Sequence, residues 1–191
     1  PEGLPASFTI TLAMGMSEMA KKHAIVRKLL AVETLGSTTL IASDKTGTLT
    51  QNQMKVTEIY IDGHEIIVEG DGDSPYGAFH NEGGRIVPEN YLHLNTLLLV
   101  ASLCNDALVT GENGRLELIG DPTEGALIVA AIKGGLDTEA LSKKHTRINE
   151  IPFSSEHLFM ATLHANTDGE EIFLKGAPEK ILSFCSHILT Q

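Results

Sequence analysis

The feature that most constrains this chain is the heptapeptide Asp44-Lys45-Thr46-Gly47-Thr48-Leu49-Thr50, which stands directly behind the apolar run Thr39-Leu40-Ile41-Ala42. The short apolar stretch over residues 38–43 predicts a buried parallel strand, so the polar heptapeptide falls at a sheet's carboxyl edge, where α/β proteins open their ligand crevices. An aspartate delivered there can serve as a covalent nucleophile. Lys45 supplies countercharge, Gly47 lets the backbone turn closely around a phosphate, and the hydroxyls of Thr46, Thr48 and Thr50 can donate to its oxygens. The pattern is that of a phosphoryl-transfer site; the competing account is an ordinary polar strand-to-helix turn.

Behind Thr50 the pattern changes to alternation over residues 56–61 and 64–68, separated by Asp62-Gly63, a two-residue hairpin signal. Residues 69–84 are rich in Gly, Asp, Asn and Pro and predict a surface loop. Residues 90–105 are apolar on nearly every side and predict a buried helix, and residues 111–119 a short hairpin or strand. Asp121-Pro122-Thr123-Glu124 combines an N-cap, proline at the first helical position and glutamate three residues after the cap, opening a helix to about residue 132 that Gly134-Gly135 closes. Strands are expected at residues 148–153, 158–165 and 171–175, and a last helix at residues 177–189. Strand runs joined through hairpins and separated by helices predict an α/β chain of the α+β kind, an antiparallel sheet with helices packed on it.

Composition narrows the partners. The 191 residues carry 14 Lys plus Arg against 25 Asp plus Glu, a formal net charge of -11 that argues against nucleic acid or an anionic membrane surface as main partner. Cys104 and Cys185 show no metal-type spacing and are expected to be reduced and buried. The 8 histidines are scattered, and His23, His64 and His157 are expected at the surface. The uncharged stretch over residues 3–17 is shorter than the roughly 20 apolar residues that cross a bilayer. Basic residues follow it instead of preceding it, which argues against a signal peptide. Half a membrane helix is expected, continuing over residues 20–30 as a stalk that Gly36 ends.

The heptapeptide, together with Pro1-Glu2-Gly3-Leu4-Pro5, Val32-Glu33-Thr34-Leu35-Gly36, Gly120-Asp121-Pro122-Thr123-Glu124 and Lys175-Gly176-Ala177-Pro178-Glu179, resembles the P-type cation-transporting ATPases, most closely their calcium-transporting branch. The resemblance covers the whole chain and implies a piece of such a pump. Residues 1–36 would be half of a transmembrane helix and its stalk, and residues 37–54 the start of a haloacid-dehalogenase-like phosphorylation domain with its first strand. Residues 55–191 would be much of a nucleotide-binding domain. It implies ATP and Mg²⁺ as cofactors and a transported cation, expected to be calcium. The parent would be an integral membrane enzyme, with most of this piece facing the cytoplasm and too incomplete to turn over alone.

The resemblance also assigns roles. Asp44 would accept the γ-phosphoryl of ATP, with Lys45 and Thr46 holding the phosphate and Mg²⁺ beside it. Glu2 would face the transported cation; taken alone its motif reads as a polar turn. Glu124 would border the adenine amino group, although a capping box explains its spacing equally well. Phe153 would stack on adenine, the alternative being a core aromatic. Lys175 and Gly176 would form the floor of the pocket, the alternative being a strand-to-helix turn with a solvated lysine. The chain departs from the calcium-pump pattern after Phe153, where Ser155, Glu156, His157 and Leu158 replace a segment containing arginine and lysine. Two other functions share parts of this pattern. A haloacid-dehalogenase-type phosphatase also uses an aspartate nucleophile but carries a second aspartate where this chain has Thr46. A noncatalytic nucleotide-sensing or docking domain would need no nucleophile.

Overall fold

The computed structural model describes residues 3–112 and 115–189. They fall into two compact units, Pro1–Thr50 and Gln51–Gln191.

In the first unit, α1 (Gly3–Lys21) and α2 (Leu29–Gly36) pack on each other. They meet closely at Gly15, where an added Cβ would lie 3.3 Å from Val32 Cγ1. The expected continuous stalk over residues 20–30 is therefore two helices. The break is a Schellman-type stop: His23 takes φ 62°, Ala24 N–H donates to Met19 O at 3.0 Å and His23 N–H to Ala20 O at 3.0 Å. Gly36 ends α2 as expected. Among the described residues, no helix is long and apolar enough to cross a membrane.

Residues 38–43 form no strand, contrary to expectation. Leu40 and Ile41 are 83% and 84% exposed. A strand forms only where a neighbour takes up its backbone N–H and C=O groups, and no described strand pairs with this segment.

As expected of an α+β chain, the second unit is antiparallel sheet with helices packed on it; among the described residues the strands form three sheets. The first joins β1 (Glu58–Ile61), β2 (His64–Val68), β3 (Phe79–Asn81) and β4 (Gly84–Ile86) in sequence order. Its first hairpin turns at Asp62-Gly63, both at positive φ (54° and 80°), as the type I′ signal requires. Residues 69–84, expected as loop, contain β3, which is only three residues long and is held by its pairing to Ile67 and Val68 of β2. Alternation sends Ile66 and Val68 inward and leaves Tyr60 and Ile67 exposed.

A 3-10 turn at Pro88–Asn90 leads into α3 (Leu92–Leu103). This helix buries Leu94, Leu98 and Leu103 but exposes Leu92 and Leu97, so it is buried along one stripe instead of all round. With α4 (Pro122–Lys133) it closes a core of Ile66, Val68, Phe79, Ile86, Leu94, Leu98, Ala130 and Ala131. Full burial of each large apolar side chain here contributes about 1.5–3 kcal/mol. The second sheet is the hairpin of β5 (Leu108–Glu112) and β6 (Arg115–Ile119).

The Asp121 carboxylate caps α4, accepting from Thr123 N–H at 2.8 Å and Glu124 N–H at 3.2 Å. The Glu124 N–H bond first, and then that of Thr123, hold the Asp121 carboxyl below the usual carboxylate range. Gly134 caps the other end. A short α5 (Thr138–Lys144), capped by Asp137, follows where no helix was expected.

The third sheet has the order β7 (Thr146–Ile151), β8 (Phe159–Asn166), β9 (Gly169–Gly176). Its central strand buries Met160, Thr162 and His164. α3 packs on β9, and the Cys104 thiol at its end meets Met160 O at 3.8 Å. The last helix, α6 (Pro178–Phe184), is shorter than the expected 177–189. Both cysteines are free, but only Cys104 is buried; Cys185 is exposed beyond α6. Burial pushes the Cys104 thiol up, so it remains a neutral packing group.

Candidate functional site

In β7–β9, Thr146 pairs with Ala165 and Asn166 with Gly169, so the β8–β9 turn and the start of β7 share one end of the sheet. The opposite, open end is set by Ile151 against Ala161 and Lys175 against Met160. Phe153 follows Ile151 out of β7 at this end and is 58% exposed. It is therefore neither a strand residue nor a core aromatic. β7 and β9 flank β8, so their backbones stand roughly 10 Å apart.

Lys175 is partly buried, and its ammonium donates to Glu124 Oε1 at 2.5 Å. The other Glu124 oxygen accepts from Asp106 N–H at 3.2 Å. Asp121 alone thus caps α4: Glu124 has the capping-box spacing, but its carboxylate turns to Asp106 and Lys175, 18 and 51 residues away. A carboxylate and an ammonium so arranged, at the same sheet end as an exposed aromatic, can accept a hydrogen bond from an amino group, attract an anion and stack a planar ring.

Gly176 serves the same end sterically. An added Cβ would lie 2.3 Å from Leu158 O and 2.6 Å from Phe159 Cα. Leu158 itself takes φ 60°, a left-handed conformation unusual for a branched side chain, and its carbonyl accepts from Ala177 N–H at 2.9 Å. The turn at residues 155–157 is closed by Leu158 N–H to Ser154 O at 2.8 Å and His157 N–H to Ser154 Oγ at 3.0 Å.

Sequence reasoning missed the polar residues behind the site. Arg147 Nη1 donates to Asp106 Oδ1 at 2.8 Å and Asn105 O at 3.2 Å, and its Nη2 faces the Glu150 carboxylate. Asn105 Nδ2 donates to Glu124 O at 2.9 Å. Apart from Arg147 and Glu150, three residues apart, these contacts link segments far apart in sequence, and Asn105-Asp106 just after a helix is a weak local signal. Missed too were His145, which meets Glu171 at 2.5 Å, and buried His164, whose Nδ1–H donates to His145 O at 3.0 Å. His23, His64 and His157 are exposed as expected.

Asp44, Lys45 and Thr46 lie in the first unit, in an exposed turn. Thr46 N–H donates to Asp44 Oδ1 at 3.3 Å, Leu49 N–H to Lys45 O at 3.0 Å, and Gly47 takes φ 70°. The Asp44 carboxylate and the neighbouring carbonyl and hydroxyl oxygens are hard donors of the kind Mg²⁺ takes. A single carboxylate suits that ion, which keeps several waters and is completed by substrate phosphates. Among the described residues no cluster of three metal-ligating side chains occurs. Glu2 lies outside the described residues.

Residues 93–191 match the family model described as P-type ATPase, cytoplasmic domain N. A cation-transporting ATPase, pma1, of Synechocystis sp. is 45% identical over 99% of this chain and 21% of its own length. A probable cation-transporting ATPase F of Mycobacterium tuberculosis is 46% identical over 97% of the chain and 21% of its own length. A calcium-transporting ATPase of Bacillus subtilis is 42% identical over 98% and 21%. The chain thus spans about one fifth of the length of these relatives.

Proposed function

The chain belongs to the P-type ATPases, and on that premise we propose that residues 51–191 bind the adenine nucleotide of an ATP-driven cation pump. The observation that carries this reading is the partly buried Glu124–Lys175 pair at the same open sheet end as exposed Phe153. In it, adenine stacks on Phe153, its amino group faces Glu124, and Lys175 lies at the floor of the pocket, with Gly176 keeping the backbone close. Base stacking on an aromatic contributes on the order of 1–3 kcal/mol.

In the same reading Asp44 is the nucleophile. A carboxylate oxygen attacks the γ-phosphorus in line, the bond to the bridging β–γ oxygen breaks, and ADP leaves with that electron pair. Lys45 offsets charge on the transferred group; Mg²⁺, held by Asp44 and Thr46, supplies further neutralisation when bound. The names of relatives such as the Bacillus subtilis protein favour calcium as the cation, and Glu2 as its ligand rests on the family resemblance. We assign residues 1–36 to a membrane helix and stalk, residues 37–54 to the phosphorylation domain and residues 55–191 to the nucleotide-binding domain of an integral membrane protein.

The phosphates have weak support from this chain. Lys175 already faces Glu124, and Leu158 stands where the calcium-pump pattern has a cation. Calorimetric titration of the chain should therefore give ATP and AMP affinities within tenfold, about 1.4 kcal/mol. Phe153→Ala should cost more affinity than Lys175→Ala. ATP binding more than tenfold tighter than AMP, or Lys175→Ala costing the more, would contradict this arrangement.

A further inference from the structure

We propose that Arg147 and Asp106 are positioning residues for this site, fixing the Glu124 carboxylate through the turn between α3 and β5; the proposal rests on the nucleotide reading above. Glu124 stands in the first turn of α4, where its spacing would let it fold back on the cap. Instead Asp106 N–H takes Oε2, leaving Oε1 toward Lys175. The direction of that N–H depends on how the turn is held. Asn105 fastens it to the helices, through Nδ2 to Ala101 O at 3.0 Å and to Glu124 O at 2.9 Å. Ala107 N–H closes it on Asn105 Oδ1 at 2.9 Å.

Arg147 is the charged tie from the third sheet. Its Nη1 bonds both Asn105 O and the Asp106 carboxylate, and Glu150 on the same strand steadies the guanidinium from the other side. The planar fork suits this double duty, which a lysine ammonium performs less well. Arg147 also compensates the charge of the Asp106 carboxylate. Its side chain lines a cleft of about 420 Å³ between α3, α5, β5 and β7, so truncation widens an open cleft instead of emptying the core.

The test is a double-mutant cycle on the chain, read as ATP affinity. Arg147→Ala should weaken ATP binding about tenfold, or 1.4 kcal/mol. In a Glu124→Ala background the same change should cost less than about twofold, because the carboxylate it positions is gone. Arg147→Lys, which keeps the charge and preserves the fold should the alanine variant not, is expected to lose roughly threefold in the parent background and nothing in Glu124→Ala. Equal losses in both backgrounds, or no loss in either, would overturn the proposal. Hydrogen exchange at the Asp106 amide gives a ligand-free readout: Arg147→Ala should speed it, and unchanged protection would sink the relay. Failure of the unsubstituted chain to bind ATP would instead count against the nucleotide reading itself.

Discussion

Replacing Asp44 by Asn in a full-length protein carrying this chain is expected to abolish the acid-stable, hydroxylamine-sensitive phosphoenzyme formed from γ-labelled ATP. The substitution is nearly isosteric, and the amide oxygen can still accept from Thr46 N–H, the one hydrogen bond the Asp44 side chain makes among the described residues. What would disappear is the anionic oxygen proposed to attack phosphorus. By analogy with removal of a hydrolase nucleophile, the step should slow by a factor on the order of 10⁶, which places labelling below detection. Nucleotide binding should persist, because Phe153, Glu124 and Lys175 belong to the other compact unit. Labelling that survives in Asp44→Asn would move the nucleophile to another residue.

Gly176→Ala is expected to produce the largest loss of stability among conservative changes at the site. The added methyl would lie 2.3 Å from Leu158 O, 2.6 Å from Phe159 Cα and 2.7 Å from Phe159 Cβ. Two of these neighbours are backbone, and Leu158 O is already engaged by Ala177 N–H. No rotamer change relieves the overlap, so the β8–β9 pairing must spread where Phe159 faces Gly176. Overpacking of this kind costs about 1–3 kcal/mol. For a domain of this size that lowers the unfolding midpoint by roughly 2–12 °C. Gly36→Ala is the control: its methyl would meet nothing within 4 Å, and its midpoint should stay within about 1 °C. A Gly176→Ala midpoint equal to the parent's would show that the two strands are not held so closely.

What was legible in the sequence was local. Asp62-Gly63 specified its hairpin because both residues tolerate positive φ, and Asp121-Pro122 specified the start of α4 because cap and proline act within one turn. The β8–β9 hairpin likewise carried its turn residues in Asn166 to Gly169. Long-range pairing was not legible. β3 is three residues inside a glycine-rich segment and exists through β2. Residues 38–43 have a strand's composition but no described strand beside them. α5 is too short to announce itself by periodicity, although Asp137 caps it.

The site divides in the same way. Lys175, Gly176, Glu124 and Phe153 were singled out through motifs, and the structure brings Lys175 and Glu124 together and leaves Phe153 exposed at the same sheet end. The local capping rule left Glu124 open between two readings, and only Lys175, on a strand 51 residues away, decided where its carboxylate points. Arg147 went unnoticed because its partners, Asp106 and Asn105, are 41 and 42 residues distant.

The central claim, that the open end of the third sheet binds an adenine nucleotide, is tested most directly by titrating the ¹⁵N-labelled chain with ATP and following its backbone amides. The account predicts saturable shifts clustered around Phe153, Glu124 and Lys175–Gly176, three segments brought to one end of a sheet by folding alone. Shifts confined elsewhere, or none at ATP concentrations in the millimolar range, would contradict it.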